Sequence, residues 1–147
     1  MRAFIIPSVA LGLIVCGAGR ADDKGAAKEA KMLKGAWQLT EGAVGGKAFP
    51  PEVTKGIKLE LSPGKYVVTA ESKDEGTVKC LPNTSPSAME ITGTAGPNKG
   101  KTFPAIYELK GDTLTVCYDL SGKVRPTEFA SKTGTILFLA KYKRVKP

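Results

Sequence analysis

The 147-residue chain has no histidine, only three cysteines and a single tryptophan. Without histidine the common serine or cysteine nucleophile arrangements have no general base. A standard zinc site would have to be assembled from cysteines and carboxylates alone. Nothing repeats at a fixed period, no block is of low complexity, and basic residues are not interleaved with aromatics as in a nucleic-acid-binding surface. The longest apolar run, Ala3 to Val15, is short of the roughly 20 residues a membrane-spanning helix needs, and Pro7 interrupts it. These absences leave no enzyme pattern, no expected cofactor, no metal set and no nucleic-acid partner.

That apolar run has the makings of a removable leader. Met1-Arg2 supplies a positive start, and Gly19-Arg20-Ala21 places small residues at −3 and −1 before Asp22, so residues 1–21 are expected to be a secretory signal peptide. Val15 is too large for lipoprotein cleavage before Cys16. The expected product is secreted or periplasmic after cleavage near Ala21. Residues 22–32 would be an arm and a short helix, with Glu29 to Lys34 helical, and residues 33–145 a single domain.

The chain carries 22 basic and 14 acidic residues, and losing Arg2 and Arg20 with the leader would leave a net charge of +6. Residues 22–98 hold 10 of each sign, whereas 99–147 hold 10 basic and 4 acidic. The excess is therefore confined to the last third, where it would either solubilise outward-facing strands or meet an anionic surface.

After the leader, strand-like runs fill the chain, cut by glycine and proline turns. They span about Ala36–Ala43, Ile57–Ser62, Lys65–Glu71, Gly76–Leu81, Ala88–Thr92, Thr102–Lys110, Thr113–Asp119 and Thr135–Lys143. Ile57-Lys58-Leu59-Glu60-Leu61 alternates most cleanly, Pro63-Gly64 suits a type II turn, and Gly111-Asp112 marks a tight hairpin. Pro50-Pro51-Glu52-Val53-Thr54 fits a helical turn between the first two strands. The expected fold is all-β: an eight-stranded antiparallel up-and-down barrel, whose closure removes exposed sheet edges.

Alternation places Trp37, Leu39, Tyr66, Val68, Val78, Met89, Ile91, Phe103, Tyr107, Leu109, Leu114, Val116 and Tyr118 inward. The last strand is apolar on both faces, so its phase stays open. Cys80 shares the face of Val78, while Cys117 lies between the inward Val116 and Tyr118, so the two thiols should diverge and stay free.

Several separated motifs carry a family resemblance. Gly35-x-Trp37, Gly45-Gly46-Lys47, Gly96-Pro97-Asn98-Lys99-Gly100-Lys101, Ile106-Tyr107-Glu108-Leu109-x-Gly111-Asp112-Thr113-Leu114, Cys117-Tyr118 and Arg125-Pro126-Thr127-Glu128-Phe129 occur in order. Over residues 33–145 the chain resembles an uncharacterised conserved domain family of planctomycete bacteria, described as lipocalin-like. The resemblance implies a secreted or envelope-associated barrel and carries no established activity. In lipocalin-type barrels the Gly-x-Trp tryptophan packs across the closed end against a basic residue of the final strand; the matching residues are Gly35, Trp37 and Arg144.

Arg125-Pro126-Thr127-Glu128-Phe129 supports two readings: an anion receptor at the barrel mouth, or a pin for the long connection with Phe129 plugging the core. Pro97 to Lys101 is either a phosphate-cradling loop or a surface turn, and Glu71, Asp74 and Glu75 read as solvated loop charges. An eight-stranded barrel is just wide enough for side chains to fill or for one small ligand. The leading expectation is a non-enzymatic, monomeric binding module for a small apolar or amphipathic ligand, contacted by Tyr66, Phe103, Tyr107, Val116 and Tyr118. The other is a filled barrel that meets an envelope protein or anionic surface through its exterior.

Overall fold

The computed structural model describes residues 18–81 and 84–146, with side chains from residue 25 onward. Most of the expected leader, up to residue 17, lies outside the described residues. Nine strands form one antiparallel sheet: β1 (Gly35–Val44), β2 (Lys47–Ala48), β3 (Lys58–Ser62), β4 (Lys65–Thr69), β5 (Lys73–Leu81), β6 (Ala88–Ala95), β7 (Thr102–Lys110), β8 (Thr113–Asp119) and β9 (Leu137–Arg144). Every strand from β3 to β8 pairs with its successor, β1 pairs with β3, and β9 pairs with β1 from Trp37↔Arg144 to Val44↔Phe138. Eight strands thus close an up-and-down barrel. The short β2 was not anticipated; it folds back on the end of β1 through Ala43↔Ala48, where β3 no longer pairs with it. A helical turn, α2 (Pro51–Lys55), links β2 to β3.

The inward residues expected from alternation all line the interior, and β9 settles its open phase by facing Phe138, Ala140 and Tyr142 inward. Leu139 and Lys141 fall on the opposite face.

One end of the barrel is shut by a helix longer than the sequence suggested. Helix α1 covers Ala18–Leu33, so the stretch expected as an arm is helical and the expected cleavage point falls within the helix. Ala, Lys and Glu dominate its second half and are good helix formers. Its inner stripe is Ala26, Ala30 and Leu33, at the i, i+4, i+7 spacing of one face, packed towards Leu61, Gly64, Val78 and Cys80. Alanines make this face narrow, which hid it in the sequence.

The last turn of α1 leaves carbonyls without helical partners, and two side chains take them. Trp37, fully buried, donates its indole N–H to Leu33 O at 2.9 Å. Arg144 donates Nη1 to Lys34 O at 2.6 Å and Nη2 to Met32 O at 2.8 Å, while its guanidinium carbon lies 4.3 Å from the centre of the Trp37 ring. Asp112, on the β7–β8 hairpin, approaches Arg144 Nε at 3.5 Å. Gly35 makes the stack possible: its φ is +139°, and a Cβ there would lie 2.9 Å from Arg144 Nη1.

The outer face of β6, β7 and β8 is buried too. Ala88, Ile106 and Cys117 adjoin one another in register and are almost wholly covered, and the long β8–β9 connection supplies the cover. Pro126 is buried in it, and Cys117 Sγ contacts Ala130 O at 3.5 Å. Cys80, by contrast, belongs to the interior cluster, and both thiols are free. Burial raises the pKa of each, which suppresses the reactive thiolate.

Two outcomes follow for stability and reactivity. Trp37→Ala should cost about 3–5 kcal/mol in denaturant melts, the range for deleting a large buried aromatic. Arg144→Ala should cost less, and the double variant less than the sum because the residues touch; strict additivity would rule out coupling through the stack. A thiol reagent should leave Cys80 and Cys117 unmodified in the folded protein and modify both after unfolding, and a Cys80–Cys117 disulfide in peptide maps would contradict the opposed faces.

Candidate functional site

The end of the barrel opposite α1 is closed less tightly. Aromatic pairs run across it: Phe49–Phe138 tilted at 5.8 Å between ring centres, Phe138–Tyr118 edge-to-face at 5.1 Å and Tyr118–Phe103 tilted at 5.4 Å. Gly42 admits the Phe49 ring, whose nearest atom would lie 2.8 Å from a Cβ at that position. Beneath this arc is a cavity of about 60 Å³. Its floor and walls are apolar, with Leu59, Val68, Ile91, Leu114 and Val116 among them, and its polar fittings are Tyr66, Asp74, Asn98, Tyr118 and Tyr142.

Asp74 is the one charged residue on this lining. It points inward by plain alternation: Asp74 pairs with the inward Val68 and shares the phase of Gly76, Val78 and Cys80, the extra residue of the irregularity beside Gly76 lying on β6. Gly76 is obligatory there, since a Cβ would sit 1.9 Å from Thr92 O. Asp74 Oδ2 accepts from Tyr66 Oη at 3.2 Å and from Asn98 Nδ2 at 2.9 Å, and Oδ1 accepts from the Asn98 N–H at 3.4 Å. The reading of Asp74 as a solvated loop charge is therefore corrected: it anchors the β6–β7 loop over the cavity. That loop is no phosphate cradle either. The N–H groups of Lys99, Gly100 and Lys101 are spent on Gly96 O, Gly93 O and Asn98 O.

Four of the five residues expected to contact a ligand, Tyr66, Phe103, Val116 and Tyr118, line this cavity. Tyr107 does not. It is buried towards the helix end, where its hydroxyl donates to Glu29 Oε2 at 2.7 Å, because its place on β7 is four residues nearer that end than Phe103. The sequence reading missed Asp74, Asn98 and Tyr142. Tyr142 had a signal in the Phe138, Ala140, Tyr142 alternation; Asp74 is in phase with Val78 and Cys80, but β5 begins at Lys73, three residues before the strand expected from Gly76.

The residues of the Arg125 motif lie elsewhere. Arg125 Nη1 donates to Met89 O at 3.0 Å and Ala105 O at 2.7 Å, and Nη2 lies 3.6 Å from Glu90 Oε1. Its guanidinium fastens the strap to β6 and β7, which leaves little of it to receive an anion. Glu128 pairs with Lys132. Phe129 is half-buried beside Met32, Pro86 and Leu109 on the flank of the barrel, so it does not plug the core. Among the described residues no group of three His, Cys, Asp or Glu side chains is placed to hold a metal ion, and no helix is long and apolar enough to cross a membrane.

All four tyrosines have raised pKa values. Burial is the main cause for each, reinforced by Asp74 for Tyr66, by Glu29 for Tyr107, and by Tyr142, Tyr66 and Asp74 for Tyr118; for Tyr142 burial acts alone. Compared with family models, curated proteins and solved structures, the chain matches none.

Because the folded state favours the neutral phenols, their stabilising effect is complete below the ordinary tyrosine pKa of about 10 and is lost as pH rises through the higher folded values. Phenolate absorbance in an alkaline titration should stay low past pH 10 and then rise together with loss of tertiary structure. A smooth titration near pH 10 in the folded protein would show the phenols to be solvated.

Proposed function

We propose that this chain is a non-enzymatic binding module that works outside the cytoplasm after losing a leader near Ala21, and that its ligand is a small amphipathic molecule held in the mouth of the barrel. One observation carries the reading: the cavity joins an apolar floor to a few convergent polar groups, the usual make-up of a ligand site. Its size sets the scale. About 60 Å³ exceeds what a single water occupies, roughly 10–15 Å³, but falls below the roughly 150 Å³ of an engineered cavity that takes benzene. A ligand of a few heavy atoms fits, whereas a fatty acid or a naphthalene sulfonate does not.

The same volume favours a second reading, a packed barrel that acts through its exterior on an envelope protein or anionic surface. The basic excess of residues 99–147 and the likeness to an envelope-associated planctomycete family support it.

Titration of the isotope-labelled protein with propanol separates the two. Saturable shifts confined to residues around Val68, Ile91 and Tyr118 are expected, and Val116→Trp, which fills the floor, should abolish them. Absence of saturable binding by the unsubstituted protein of propanol and of its charged analogues propylammonium and propionate would overturn the ligand reading and leave the packed scaffold.

A further inference from the structure

The polar fittings of the cavity share one electrostatic character. Asp74 takes part in none of the seven ion pairs among the described residues, and no lysine or arginine lines the cavity. Its Oδ2 already accepts two hydrogen bonds, but Oδ1 has only the 3.4 Å contact from the Asn98 N–H. A carboxylate oxygen has two lone pairs to offer, so Oδ1 retains acceptor capacity.

Tyr142 supplies an independent observation. It is only 7% exposed, and its hydroxyl has no hydrogen-bond partner among the described residues. No side-chain oxygen there is both sealed off and unpartnered, so the Tyr142 hydroxyl keeps some accessible surface, and Tyr142 is among the residues that line the cavity. Tyr118 belongs to the same group, since it lines this cavity together with Tyr66, Asp74 and Tyr142. The mouth therefore gathers one partly free carboxylate and two phenol oxygens above an apolar floor, and it is walled by aromatic rings, whose faces favour a cation.

We propose that the mouth recognises a small primary alkylammonium, with its nitrogen among Asp74, Tyr118 and Tyr142 and its alkyl group against Leu59, Val68, Ile91 and Val116. An ammonium has three N–H donors and no acceptor, which matches one carboxylate and two phenol oxygens. A neutral alcohol leaves Asp74 without a counter-charge, and a carboxylate ligand is repelled by it. The proposal rests on the mouth being a binding cavity, and the test keeps the two apart.

The labelled full chain is titrated with propylammonium, propanol and propionate, which differ chiefly in head group. Propylammonium is expected to bind at least tenfold more tightly than propanol, and propionate not to saturate. Asp74→Asn should weaken propylammonium at least tenfold and leave propanol unchanged; Tyr142→Phe, which keeps the ring and the packing, should weaken propylammonium about threefold. The spectrum of each variant reports whether it is folded, and Tyr142→Phe decides the matter should Asp74→Asn disturb the β6–β7 loop. Propanol binding as tightly as propylammonium, or propylammonium binding unchanged in the folded variants, would overturn the ammonium assignment and leave the cavity reading standing. Binding of none of the three would overturn both.

Discussion

Arg144 holds together the parts of the fold that the sheet cannot join. Hydrogen bonding between strands closes the barrel but does nothing to attach a helix to its end. One guanidinium does so, by lying on the Trp37 ring, donating to the final carbonyls of α1 and meeting Asp112 on the β7–β8 hairpin. Helix, first strand, penultimate hairpin and last strand thereby converge on one planar group. Its five donors in a fixed fork suit that geometry, and a lysine could not reproduce it. The tryptophan beneath it fills the barrel end and satisfies Leu33 O, so the apolar and polar requirements of the helix terminus are met together.

The two ends of the barrel are consequently different environments. At the helix end, Tyr107 and Glu29 satisfy each other and the remaining side chains pack. At the mouth the aromatic arc leaves space, and the polar groups beneath it are incompletely partnered. Arg125 underlines the contrast: it too is a cation beside backbone carbonyls, yet it is consumed in holding the strap. Cationic groups serve structure on the flank and at the closed end, while the mouth is lined by a carboxylate and phenols.

The barrel was legible because its strands follow a period of two. Ile57-Lys58-Leu59-Glu60-Leu61 and Thr113 to Asp119 announce both strand and facing, and Gly111-Asp112 fixes the register between β7 and β8. The closing stack was legible only through the Gly35-x-Trp37 resemblance. Three features were hidden for physical reasons. The narrow alanine face of α1 resembles a solvated arm, the charged run Lys73-Asp74-Glu75 reads as a turn although β5 already passes through it, and the strap buries outward residues that a two-sided strand would expose. Tyr107 was placed correctly as inward but at the wrong height, because alternation gives the facing of a residue and not which end its side chain serves.

The strap also gives the barrel a handed exterior. Residues 120–136 sheath β6, β7 and β8, whereas β3, β4 and β5 present bare outward rows such as Lys58, Glu60, Lys65 and Lys79. Helix and mouth lie at opposite poles, so a chain held at its α1 side would turn the Tyr118 and Asp74 end outwards, like a cup standing on its base. Orientation is thus encoded in the polarity of the barrel axis.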